Sequence, residues 1–381
     1  MRETWRWFGP NDPIDLLAVK QTGADGVVSA LYEKRAGEVW AFDEILAHKS
    51  MISAAGLTWD VCESIWMPDA IKIHGAGATA HMSAWIDSMV NLGRAGVNTI
   101  CYNFMPVVDW TRTDLAYPVA GRGNALRFDM IDFIAYDCFV LERKHATSDY
   151  ETDLVDRAKA RFDALSPDDI QRLEHNIIAG LPGGADGFSR DQILNRIDQF
   201  HGLSADDLSA NLKSFLDTVI PVAQEYGVNL CIHPDDPPIP LFGIPRIVST
   251  QDDLSKILAM NDSVANGITF CTGSLGSRGD NDLLTMIARF SDRIHFAHLR
   301  NVERQSDSSF YESEHLSGSV DMIAIVQQLL KSNRNIPLRP DHGHLLAYES
   351  NHDVNAGYSY LGRLKGLAEL RGVIAAMEHQ K

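Results

Sequence analysis

Eight short apolar runs, rich in β-branched and aromatic residues and closed by polar, Gly or Pro residues, constrain the fold of this chain more than any other feature. They span 4–9, 26–31, 57–63, 98–104, 228–233, 267–272, 294–300 and 336–341. Their lengths and boundaries read as strands. Helical periodicity fills most of the intervals. In 85–95 the apolar positions are Trp85, Ile86, Met89, Val90 and Leu92, and 212–226 and 321–330 behave similarly. Strand then helix, eight times over, predicts an α/β fold, a (β/α)8 TIM barrel. The competing open sheet usually carries a glycine fingerprint after its first strand, and Phe8-Gly9-Pro10-Asn11-Asp12-Pro13 is not one.

The 381 residues exceed the ~250 of a typical barrel but lie within its range with insertions. The surplus falls between the fourth and fifth strands. We therefore expect one domain over 1–381, with a helical insertion at 105–210 packed over the barrel mouth. Helical stretches at 149–165 and 168–176 lie inside it. The second is introduced by Ser166-Pro167, a capping residue followed by proline at the first helical position. A glycine-rich break follows at Gly180-Leu181-Pro182-Gly183-Gly184.

A formal charge of −17 disfavours nucleic acid or an anionic membrane as partner, but admits a small anionic substrate met by local cations. The cysteines, Cys62, Cys101, Cys138, Cys231 and Cys271, are odd in number and form no CxxC. Reduced thiols in the cytoplasm are expected. The N-terminus does not read as a signal peptide, and no run is long enough to span a bilayer. A symmetric homodimer is the base-rate expectation.

Barrel enzymes keep their chemistry at the C-terminal ends of the strands. The fifth strand ends in Cys231-Ile232-His233-Pro234-Asp235-Asp236, the sixth in Phe270-Cys271-Thr272-Gly273, the seventh in His295-Phe296-Ala297-His298-Leu299-Arg300, the eighth in Arg339-Pro340-Asp341-His342. Four neighbouring strands each end in imidazole, thiolate or carboxylate, all ligand types for a divalent transition metal. Cys231 lies two residues before His233, so it faces the same way but deeper. His295 and His298 point to opposite faces, and His298 is nearer the mouth. Asp341 and His342 also alternate, so both reach the site only if the strand has ended. The mixed donor set favours iron(II), zinc or cobalt over magnesium. Open coordination positions argue for Fe2+ or Mn2+ over tetrahedral zinc. Gly273, Gly276 and Gly279 are spaced GxxGxxG, which reads as a tight turn or a substrate-facing loop rather than a dinucleotide site.

These segments, with Thr4-Trp5-Arg6-Trp7-Phe8-Gly9-Pro10-Asn11-Asp12, Cys101-Tyr102-Asn103-Phe104-Met105-Pro106 and Asp109-Trp110-Thr111-Arg112-Thr113-Asp114, resemble the mannonate dehydratase family across essentially the whole chain. The resemblance implies a xylose-isomerase-like barrel that converts D-mannonate to 2-dehydro-3-deoxy-D-gluconate in hexuronate (glucuronate) breakdown, with one Mn2+ or Fe2+ per chain. It implies His233, Cys271, His298 and Asp341 as metal ligands. It implies His342 and Tyr358 as the acid–base pair, with Tyr360 the alternative because Ala356 precedes Gly357-Tyr358. Asp341 and Arg300 complete the expected catalytic set. Arg300, Arg339, Asn103 and Trp110 are expected to bind substrate, since guanidinium pairs a carboxylate bidentately. Two other readings share the barrel. A sugar isomerase would use Asp235 and Asp236 in a second metal site, and a sugar-acid sensor would hold a closed structural metal.

Overall fold

The computed structural model describes residues 1–178, 189–332 and 334–379, so the glycine-rich break lies outside the described residues. Eight parallel strands close a barrel: β1 (Arg2–Arg6), β2 (Gly26–Ser29), β3 (Thr58–Glu63), β4 (Thr99–Tyr102), β5 (Asn229–Ile232), β6 (Asn266–Cys271), β7 (Ile294–His298) and β8 (Pro337–Arg339). Each coincides with one of the eight apolar runs. Both faces of these strands are covered, one by the barrel interior and one by helices, so their sequences are near-continuously apolar. Inside the barrel, Val28, Val61, Cys101, Cys231 and Phe296 form a closed layer of buried side chains.

The outer helices start where capping chemistry allows. Ser204 and Asp207 form a reciprocal capping box for helix Ala205–Glu225, as Thr250 and Asp253 do for Gln251–Met260, satisfying backbone N–H groups that have no partner within the helix. The helix leading into β5 therefore begins inside the range read as insertion. Ser166 receives the Asp169 N–H at 3.2 Å, and Pro167 opens helix Pro167–Ile178, as the sequence suggests.

The stretch after β4 is not purely helical. It opens with an antiparallel hairpin, Asp114–Val119 against Gly123–Phe128, before the helices Thr152–Asp163, Pro167–Ile178 and Arg190–Phe200. A second hairpin, Asn301–Arg304 against Phe310–Ser313, follows β7. Phe310 and Tyr311 pair with Phe128 and Arg127, joining the two hairpins into one four-stranded sheet. No helix of the described residues is long and apolar enough to cross a membrane.

Candidate metal centre and acid–base site

Side chains two residues apart in a strand share a face, so the residue two positions beyond each interior packing residue enters the next layer toward the mouth. Cys231 is followed by His233 and Phe296 by His298. Thr269, which pairs with Phe296, is followed by Cys271, which pairs with His298. Val61 is followed by Glu63 and Cys101 by Asn103. The layer above the core is therefore the chemical one.

His233, Cys271 and His298 offer ligand atoms that all lie within 4.8 Å of one another, and all three are buried. Among the described residues this is the one group of its kind. His233 Nδ1 donates to the Pro234 carbonyl at 2.6 Å, which leaves Nε2 as a lone pair aimed at His298 Nδ1, 3.1 Å away. Burial lowers the His233 pKa and keeps the ring neutral. A neutral imidazole oriented by a carbonyl on its far side is the usual state of a metal ligand. His298 Nε2 faces Glu63 Oε2 at 3.5 Å, and Cys271 Sγ receives the Ser274 N–H at 3.4 Å. The donor set fits a divalent transition ion. Asp341 Oδ2 lies 3.7 Å from His298 Nδ1, while its carboxylate also pairs with Arg339 and Arg300.

The alternatives left by the sequence resolve sterically. Cys231 is in the interior layer. His295 points away, with Nε2 on the Val264 carbonyl and Nδ1 against Arg334. β8 ends at Arg339, and Asp341 adopts a left-handed backbone with φ +63°. The strand alternation has lapsed there, so Asp341 and His342 both reach the cavity.

One small cavity is lined by Asn103, Trp110, His233, Arg300, Arg339, Asp341, His342 and Tyr358, and also by Glu63, Asp109 and Asp236. His342 Nε2 lies 3.2 Å from Tyr358 Oη. Gly343 N–H donates to the Gly357 carbonyl at 2.8 Å, fastening the two segments together. Gly357 has φ +77°, and a Cβ there would come within 2.5 Å of Leu126, so only glycine lets Tyr358 sit where it does. Tyr360 instead donates to the Ala18 carbonyl. Burial, reinforced by Asp341, pushes the Tyr358 hydroxyl up to about 12. Gly273 belongs to a buried turn of helix, Thr272–Ser277. A Cβ on it would meet Arg300 at 2.6 Å, so its role is to let that arginine pass.

Four buried arginines face four buried carboxylates. Arg112 pairs with Asp236 (2.8 Å) and Glu312 (2.7 Å), Arg300 with Glu312 (2.6 Å) and Asp341 (2.7 Å), Arg339 with Glu63 (3.0 Å), and Arg6 with Glu63 (2.8 Å). Burial alone would raise these carboxyl pKa values. Arg339 and Arg6 hold Glu63 well below the usual range, Arg339 and His342 do so for Asp341, and Arg112 and Arg300 lower Asp236. Asp235 is held by Val248 N–H and Ser249 Oγ, so neither Asp235 nor Asp236 is free to build a second metal site.

Glu63 and Glu312 have no assigned role in the sequence reading, and Asp236 figures there only in the isomerase alternative. Glu63 closes the third run and was legible by the same strand-end logic applied two strands further. Glu312 sits in a hairpin with no comparable signal. Asp114 begins the first hairpin and lies outside the cavity lining.

The class this defines is a TIM-barrel protein whose C-terminal mouth gathers three buried side chains able to hold a divalent metal ion. The family described as D-mannonate dehydratase (UxuA) matches residues 1–381. The chain is 52% identical over 389 residues to mannonate dehydratase 2 of Agrobacterium fabrum (strain C58), covering 100% of this chain and 98% of the relative. It is 51% identical to the mannonate dehydratase of Saccharophagus degradans, covering 99% and 98%. A crystal structure of mannonate dehydratase from Streptococcus suis serotype 2 superposes with TM-score 0.80 at 32% identity, covering 100% and 94%. A D-tagatose 3-epimerase-like protein, at 9% identity and TM-score 0.53, shares the fold alone. The chain belongs to the mannonate dehydratase family and is a hydro-lyase.

Proposed function

We propose that the protein eliminates water from D-mannonate to give 2-dehydro-3-deoxy-D-gluconate, with His342 and Tyr358 moving the protons. The observation that carries this reading is the His342–Tyr358 contact of 3.2 Å inside the cavity that also holds His233, Asp341, Arg300 and Arg339.

The reaction takes a proton from C2 and expels the C3 hydroxyl as water, and the enol then tautomerises to the 2-keto acid. His233, Cys271, His298 and Asp341 would hold one Mn2+ or Fe2+, which when bound supplies Lewis-acid stabilisation of developing enolate charge, worth several kcal/mol. The remaining work belongs to the side chains. His342 and Tyr358 act as the positioned base and acid, each contributing about 10²–10⁴-fold. Arg339 Nε has no hydrogen-bond partner among the described residues and is a donor for the substrate carboxylate, with Arg300 lining the same cavity. Asn103 and Trp110 line the sugar chain.

Charge supports a monoanionic substrate. The four arginines and four carboxylates cancel. A divalent ion with one thiolate leaves a single positive charge, which one substrate carboxylate neutralises, as a buried site requires. Trp110 and Arg112 support a further reading, that 105–210 belongs to the same single domain and covers the mouth. The free cysteines support a reducing cytoplasmic setting, and symmetry statistics a homodimer.

Purified protein supplied with Mn2+ or Fe2+ and D-mannonate should release a 2-keto-3-deoxy acid. Tyr358→Phe should lose about 10²–10⁴-fold in kcat with metal content intact. Aldose–ketose interconversion without keto-acid release would sink the proposal in favour of an isomerase.

A further inference from the structure

We propose that Glu312, carried by the mouth sheet and not by the barrel, fixes the tautomer of His342 and is the positioning residue of the acid–base pair. This rests on the His342–Tyr358 reading above.

Glu312 is buried in strand Phe310–Ser313, opposite Val302. Its Oε1 accepts from Arg112 Nη2 at 2.7 Å and Arg300 Nη1 at 2.6 Å, and lies 3.1 Å from His342 Nδ1. An oxygen already receiving two guanidinium hydrogens belongs to an ionised carboxylate, which has acceptors and no donor. The hydrogen between Glu312 and His342 must therefore sit on Nδ1. In a neutral imidazole the other nitrogen is then a bare acceptor. That nitrogen is Nε2, which faces Tyr358 Oη at 3.2 Å, with Asp341 Oδ1 farther off at 3.6 Å. Tyr358 keeps its hydrogen and donates it to Nε2. The result is an ordered carboxylate–imidazole–phenol chain, with the division of labour seen wherever a carboxylate orients a catalytic histidine.

Independent contacts hold each member in place. His344 Nε2 donates to the Glu312 carbonyl at 2.9 Å. Trp110 meets the His342 ring edge-on at 6.0 Å, and Phe8 meets Tyr358 edge-on at 4.8 Å.

A purely electrostatic role, in which Glu312 only neutralises Arg112 and Arg300, makes a different prediction. Glu312→Gln and Glu312→Ala both remove the charge, but Gln keeps an oxygen acceptor where Oε1 lies. If Glu312 positions the tautomer, Glu312→Ala loses about 10²–10⁴-fold in kcat and Glu312→Gln stays within about tenfold of wild type. Equal losses in the two variants overturn the proposal.

A second measurement needs no Glu312 variant. Wild-type protein labelled with nitrogen-15 histidine and loaded with diamagnetic Zn2+ should show His342, identified by its absence in His342→Gln, protonated at Nδ1 and bare at Nε2. The reverse tautomer overturns the proposal even if both variants misfold. Absence of keto-acid product from wild type would instead defeat the proposed function, leaving the tautomer result to stand or fall by itself.

Discussion

Cys271 ends β6 in register with His298 at the end of β7, and no polar side chain of the barrel could replace its sulfur without changing what the triad prefers to hold. Serine keeps the size and loses the soft donor. Cys271→Ser is expected to weaken metal affinity and to shift preference toward harder ions such as Mn2+, read by metal analysis and by titration of the metal-free variant. Unchanged metal content and turnover would return Cys271 to the role of an inert core thiol. At this scale the sequence was informative wherever a functional residue closes an apolar run. His233, Cys271 and His298, which the structure brings together, close such runs, and His298 is favoured over His295 because the two face opposite ways and His298 lies nearer the mouth, a choice the family resemblance supports. Glu63 obeys the same rule. Asp236 follows the fifth run, but its engagement by Arg112 and Arg300 is not legible there, and Glu312 does not obey the rule at all. Arg300 is a different case: its place at the mouth is legible, whereas its engagement by three carboxylates appears only once the hairpin has folded back.

Among the elements, the barrel strands were readable because burial on both faces leaves little room for polar residues. The mouth hairpins were not. Asp114–Val119 contains Pro118 and an irregular register between Asp114 and Tyr117, and a proline within a run argues against a strand except at an edge. Asn301–Arg304 has four residues and three of them are polar or charged. Such strands exist because they pair with each other, not because of local propensity. Their function as a unit can be tested at Phe310. Its buried ring lies 5.9 Å from Phe128 and under the Arg112 guanidinium at 4.9 Å. Phe310→Ala is expected to cost about 3 kcal/mol and to lower kcat by loosening the strand that carries Glu312. Metal content should hold, since the triad belongs to the barrel. Loss of metal together with activity would show that sheet and barrel are not separable in this way.

Across the whole molecule, acid stability follows from histidines that fold neutral. Burial lowers His48, His295 and His315 to about 4, whereas an unfolded chain titrates them near 6.5. Above about pH 6.5 both states are neutral at these positions and nothing is gained or lost. As pH falls toward 4, the unfolded chain binds protons that the folded one refuses, so stability declines, by up to about 3 kcal/mol per histidine. Urea unfolding midpoints measured at intervals from pH 7.5 to 4.5 should therefore drop steadily, and His48→Gln should flatten the curve. A midpoint indifferent to pH over that interval would contradict the assignment.

The mouth sheet also fixes when the enzyme becomes an enzyme. Arg112 and Glu312 meet across 200 positions of chain. Contacts of such separation form late, because the loops they close are entropically costly. On that reading a chain that has wound most of its barrel lacks an oriented histidine, and refolding is expected to recover secondary structure, followed by circular dichroism, before turnover. Where Glu312 orients His342 as proposed, turnover reports completion of the mouth rather than of the barrel.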